Sequence, residues 1–176
     1  MLRKSEVPSL LDEISAKDWN NFLEQGGTLA DLLDMTPEEL KTIYALAYQK
    51  YQNCNYQEAL PLFQLLCQCN HMESKYLLGL GATRQALSQF ELAAEAYSLA
   101  AIVDPFDPRP SFHAAECHLA LENWMQAGSG FEMTMLRCEG KPEFETLNQK
   151  AMSEFSSVKE KLGIADSTEE KNNDGK

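Results

Sequence analysis

The chain has 176 residues, enough for one core with tails, and its 15 basic against 27 acidic residues leave a formal charge of −12. That sign argues against a nucleic-acid backbone or an anionic membrane surface as partner. The opening "MLRKSEVPSLLDEISAKDW" lacks the continuous apolar core of a secretory signal, and no apolar run approaches the roughly 20 residues of a membrane span, so a soluble protein is expected.

Leu11, Ile14, Trp19, Phe22 and Leu23 precede Gly26-Gly27 at helical steps, which predicts an amphipathic helix within residues 1–35, stopped by the glycines. "TPEEL" at 36–40 then offers Thr36 as N-cap, Pro37 at the first helical position and Glu39 at the third, a capping box that opens the next helix. From there the same chemistry returns every 34 residues. Ala47, Gly81 and Ala115 are small; Tyr56, Phe90 and Trp124 are aromatic; Ala59, Ala93 and Ala127 are alanine each time; Phe63, Tyr97 and Phe131 are aromatic again. That period and pattern resemble the tetratricopeptide repeat, a helix–turn–helix unit. Three units fit residues 40–73, 74–107 and 108–141 without insertion.

The predicted fold is therefore all-α: a right-handed superhelical solenoid of three repeats over residues 36–141, with flanking N- and C-terminal helices. Within a unit the two helices approach most closely where small residues meet, and the expected contact is Gly81 against Ala93, with Tyr97 and Phe90 filling the neighbouring volume. Close packing there offsets the roughly 0.5–1 kcal/mol that glycine costs inside a helix. Downstream, Phe144, Leu147, Ala151, Phe155, Val158 and Leu162 recur at three- and four-residue steps, which predicts a single-faced capping helix over 142–165. The closing run "ADSTEEKNNDGK" has nothing to bury, so a disordered tail is expected over 166–176.

Chemistry for catalysis is not legible. Cys54, Cys67, Cys69, Cys117 and Cys138 are odd in number and irregularly spaced, which fits reduced thiols better than a disulfide framework. His113 and Cys117 lie four apart, and Cys67 and Cys69 lie near His71, but neither group has the paired short spacings of a structural zinc site. No P-loop, dinucleotide fingerprint or nucleophile elbow is present. No metal, cofactor or enzymatic activity is expected.

One stripe is in excess of what folding needs. In the first helix of the first repeat, Ile43, Leu46 and Ala47 are expected to face the second helix. Tyr44, Tyr48 and Tyr51 form another stripe, rotated by roughly a third of a turn at about 100° per residue. The equivalent positions are Leu78, Ala82 and Gln85 in the second repeat, and Phe112, Glu116 and Leu119 in the third. First helices line the concave side of such a solenoid. An apolar patch there marks an interaction site, the competing reading being that the tyrosines pack on the N-terminal helix. Repeats that bind acidic C-termini use a Lys, Asn and Arg clamp. Here Tyr44, Tyr48 and Gly79 stand at clamp positions, with His113 and only Arg109 in the third repeat, and the charge of −12 also disfavours an acidic ligand. Tyrosine faces suit an extended, proline-containing segment.

The words "GGTLADL" (26–32), "YALAYQKYQNCNYQEALPLFQLLC" (44–67), "YLLGLGATRQALSQFELAAEAYSLAAIVDP" (76–105) and "DPRPSFHAAECHLAL" (107–121) resemble one family: the class II chaperones of bacterial type III secretion, which hold hydrophobic translocator proteins. The likeness covers about residues 22–137, and it departs at Cys54, where a turn glycine is common, and in a long extension past residue 140. The resemblance implies a passive, non-enzymatic chaperone of the bacterial cytoplasm whose concave groove takes a short proline–leucine segment of the translocator. By position, Tyr44, Tyr48 and Tyr51 would receive a proline, with Leu78, Ala82 and Phe112 lining the continuation. It also implies a homodimer formed through the N-terminal helix, for which Trp19, Phe22 and Leu23 offer apolar surface. Some members also bind a transcription activator, and that regulatory role, or a generic scaffold, stays open on sequence alone.

Overall fold

The computed structural model describes residues 27–164. The predicted N-terminal helix with Leu11, Ile14, Trp19, Phe22 and Leu23, and the tail expected over 166–176, lie outside them. The described residues form eight α-helices: α1 (Leu29–Leu32), α2 (Pro37–Gln52), α3 (Tyr56–Cys69), α4 (Ser74–Ala86), α5 (Phe90–Val103), α6 (Arg109–Ala120), α7 (Trp124–Cys138) and α8 (Glu145–Leu162). A 3-10 turn at Pro142–Phe144 precedes α8, so Phe144 stands ahead of the helix rather than within it. The capping box forms at α2: the Glu39 N–H donates to Thr36 Oγ1 at 3.2 Å, and the Thr36 N–H donates to Glu39 Oε2 at 2.8 Å. Thr28 and Asp31 build the same device on α1.

From α2 to α8 each helix packs on the next, giving the pairs α2/α3, α4/α5 and α6/α7 with α8 laid on α7. The first helices of successive pairs also touch, α2 with α4 and α4 with α6, so they make one continuous wall. The 34-residue period is visible in the turns. The second helices open at Tyr56, Phe90 and Trp124. Two residues earlier Cys54, Ser88 and Glu122 adopt φ of 59°, 58° and 57°. In each turn the next N–H reaches back five residues, Asn55 to the Lys50 carbonyl, Gln89 to Arg84 and Asn123 to His118, all at 2.9 Å. This closes the first helix with a left-handed residue, a place glycine normally takes because a Cβ there costs roughly 1–2 kcal/mol. Ser88→Gly and Glu122→Gly are each expected to stabilise the fold by about 0.5–1 kcal/mol, once the added freedom of the unfolded glycine is offset. A rise in the urea midpoint at unchanged slope is the readout.

Core positions repeat in the same register. Phe63, Tyr97 and Phe131 are at most 1% exposed, and Ala47, Ala59, Ala93, Ala115 and Ala127 are fully buried. The small residue at position 81 has a different partner from the one expected. A Cβ there would stand 2.7 Å from the Tyr97 ring, so Gly81 makes room for that ring rather than for Ala93. Gly79 does the same one pair earlier, where a Cβ would overlap the Phe63 ring. Leu46 also departs from expectation: it is 44% exposed, and Ala47 with Ile43 makes the inward contact. At the far end Ala151 and Val158 of α8 are buried against α7, with Leu147, Phe155 and Leu162 around them. Gly163 then ends the helix in the left-handed conformation.

Candidate functional site

The wall of α2, α4 and α6, with Phe63 of α3 and Tyr97 of α5 as floor, encloses a cavity of about 550 Å3. Seven of the nine residues expected to bind a peptide line it: Tyr44, Tyr48, Tyr51, Leu78, Ala82, Gln85 and Glu116. Tyr44 and Tyr48, one turn apart on α2, stack with ring centres 6.2 Å apart and planes 14° from parallel. Tyr48 is 47% exposed, a free aromatic face. Tyr44 and Tyr51 are not separate from the packing, as the stripe implied. Tyr44 sets its edge against Phe63 and lies 5.7 Å from the Tyr76 ring, and Tyr51 lies 5.4 Å from Tyr56. Burial raises the pKa of the Tyr44 hydroxyl, an effect the nearby Lys75 charge only partly opposes.

Phe112 and Leu119 lie elsewhere. Phe112 is 5% exposed and meets Phe131 edge-on at 5.6 Å, in the layer between α6 and α7. Leu119 packs on the same cluster. The Phe112 ring joins the buried cluster of Ala115, Ala127 and Phe131, and its neighbour His113 takes the place at the groove. There His113 stacks on Tyr97 with ring centres 5.3 Å apart. A polar chain then crosses the floor. The Tyr97 hydroxyl donates to Gln85 Oε1 at 2.8 Å, Gln85 Nε2 donates to Glu116 Oε2 at 3.4 Å, and His113 Nδ1 lies 2.8 Å from the same oxygen. Burial lifts the Tyr97 hydroxyl far above its ordinary range, so it stays a neutral donor. These bonds tie α4, α5 and α6 together and hold the groove's polar atoms in place before any ligand arrives.

Two cations also line the cavity, and the sequence-based site omits both. Lys75 Nζ sits over the Tyr44 and Tyr76 rings, 5.7 and 5.2 Å from their centres, and pairs with Glu73 at 3.2 Å. Arg109 is held by Asp107, which accepts from Nε at 2.9 Å and from Nη2 at 2.6 Å. Burial alone would raise the Asp107 pKa, but the hydrogen bonds from Arg109 outweigh it and keep the carboxylate ionised below its usual range. A second cavity of about 680 Å3, under α1, shares Tyr44 and Lys75 with the first.

Among the described residues no group of three or more His, Cys, Asp or Glu is placed to hold a metal, and no helix is long and apolar enough to cross a membrane. The five cysteines are unpaired. Burial pushes the Cys67 and Cys117 thiols up to about 12, which makes them packing groups rather than nucleophiles.

No protein-family model matches the chain. The low calcium response locus protein H of Yersinia pseudotuberculosis is 40% identical over 139 residues, covering 79% of this chain and 83% of that protein. A chain in the crystal structure of a T3SS complex from Aeromonas hydrophila is 42% identical with a TM-score of 0.80, over 83% of this chain and 97% of that one. The type III secretion chaperone SycD of Yersinia enterocolitica, solved in complex with a peptide of the translocator YopD, is 38% identical with a TM-score of 0.70, over 73% of this chain and 98% of that one. Identity at this level across nearly the whole of these relatives, on the same succession of paired helices, is decisive: the chain belongs to the class II type III secretion chaperones, the chaperones of translocator proteins.

Proposed function

We propose that the chain acts, without catalysis and in a bacterial cytoplasm, by holding an extended, proline- and leucine-containing segment of a hydrophobic translocator in the groove of α2, α4 and α6. The stacked Tyr44–Tyr48 pair beside an open apolar wall carries this reading. Proline-rich extended segments dock on aromatic faces at low entropic cost, because their conformation is already formed. The SycD structure, which holds a translocator peptide on a related fold, supports it. Covering the apolar segment keeps the client soluble and competent for secretion. Self-association is part of the same proposal: Trp19, Phe22 and Leu23 precede the described residues and supply the apolar surface for a homodimer.

Tyr48 is the cleanest test because its ring is the exposed one. Titrating the purified full chain into a fluorescent peptide of the translocator YopD, Tyr48→Ala is expected to weaken binding about tenfold or more, since aromatic anchors carry a disproportionate share of interface energy. Helical circular dichroism and the melting temperature stay at their wild-type values. Wild-type affinity in the variant places the peptide elsewhere.

A further inference from the structure

The chain has 27 acidic and 15 basic residues, yet the groove wall presents two cations, Lys75 and Arg109, against one carboxylate. That carboxylate, Glu116, is engaged by His113 and Gln85. Lys75 and Arg109 are 34 residues apart, each in the first turn of its inner helix, and the position 34 before Lys75 is Lys41 of α2. Lys41 and Lys75 both line the cavity under α1, and Lys75 and Arg109 both line the main groove. The cavity under α1 also carries Asp31, Glu38 and Glu73, so the excess of cations belongs to the main groove, where Lys75 and Arg109 hold the same repeat register. Acids two residues earlier hold these two cations: Glu73 pairs with Lys75 and Asp107 with Arg109; neither acid lines the main groove, and Glu73 faces the cavity under α1. Asp107 takes Nε and Nη2 of Arg109, which leaves Nη1 to donate to another acceptor. Lys75 is held over two tyrosine faces with its side chain half exposed. Burial raises the Tyr44 pKa; the charge of Lys75 opposes it most and that of Arg109 less, while Tyr48 and Glu73 add to it, so both cations reach the tyrosine end.

We propose that the segment held in this groove carries a carboxylate side chain among its apolar anchors, and that Lys75 and Arg109 receive it. The proposal rests on the groove being the client site and names a feature of the client. Locally it reverses what the overall charge of −12 implies, because pre-oriented cations at a half-dry wall give charge-assisted bonds that a surface of scattered charge does not. A client with a basic residue at that point meets like charge and is rejected, so the pair selects as well as binds.

Three capped ten-residue peptides test it, with two prolines flanking a leucine and Glu, Gln or Lys as guest beside the leucine. Against the full chain at low salt, the Glu peptide is expected to bind about tenfold tighter than the Gln peptide, and the Lys peptide most weakly. The Glu advantage shrinks in 0.5 M sodium chloride, on the order expected from a screening length of about 4 Å or less. Lys75→Gln is expected to lower the ratio of Glu-peptide to Gln-peptide affinity severalfold, and Lys75→Glu to shift preference toward the Lys peptide. Lys75 is chosen because its loss leaves no buried charge unpaired, whereas removing Arg109 strands Asp107, which is 8% exposed. Equal binding of the three peptides, or a Glu preference untouched by both variants, overturns the proposal and leaves the groove reading intact. Binding by none of them, with the YopD peptide also unbound, overturns the groove reading itself.

Discussion

Gly79→Ala is expected to lower the melting temperature by about 4–8 °C, a loss of about 2 kcal/mol for a chain of this size. The cause is local. An added methyl at Gly79 would overlap the ring of Phe63, which is 1% exposed and wedged between successive helix pairs, so the ring cannot swing aside without opening the seam. Gly128→Ala is the matched control. Its methyl would meet Val158 Cγ1 at 3.3 Å, a tight contact that a shift of a few tenths of an ångström relieves, and alanine is the better helix former by roughly 0.5–1 kcal/mol. The two variants share chemistry and helical context, so a clearly larger loss at Gly79 than at Gly128 in a thermal melt isolates the ring contact. If Gly79→Ala melts with the wild type, Phe63 is not the wedge.

The second large effect concerns ligand binding. Tyr44→Ala with Tyr48→Ala removes both stacked rings and is expected to weaken a bound translocator peptide by well over tenfold, from anchors that commonly contribute ~2 kcal/mol or more each. Unlike the loss of Tyr48 alone, the double change also costs stability, because Tyr44 packs on Phe63 and Tyr76. Adding Tyr48→Phe as a third variant separates the two contributions: it keeps the stacking face, so it is expected to keep most of the affinity. A folded double variant that binds as wild type does would show that the rings serve the core alone.

The repeat was legible because packing demands the same sizes at the same steps: Ala47, Gly81 and Ala115 hold one register, and Phe63, Tyr97 and Phe131 another. The capping box at Thr36 was legible because its chemistry is local. The side chosen by a large ring was not. Periodicity places Phe112 with Leu78 on the groove, but a ring that can reach the gap beside Phe131 gains more by burial, and Phe112 goes there. The partner of Gly81 escaped for a related reason, since a missing Cβ shows that something approaches without showing whether it is a methyl or a ring. Lys41, Lys75 and Arg109 were legible in principle, at 34-residue steps like the core, but a basic residue at a helix start ordinarily means a solvated face. The wall supplies what the pattern lacked, two tyrosine rings under one of those cations.

The proposed function places the client on the inner helices rather than the outer ones. The outer face is not free of apolar side chains: Leu99 of α5 and Leu136 of α7 are 54% and 58% exposed. A YopD peptide carrying a benzophenone group, photolysed on the full chain and mapped by mass spectrometry, tests the choice between the two faces directly. Crosslinks are expected at Tyr48, Leu78, Ala82 and Gln85, on α2 and α4, and to disappear on competition with unlabelled peptide. Competable crosslinks concentrated around Leu99 and Leu136 would contradict the groove as the binding site.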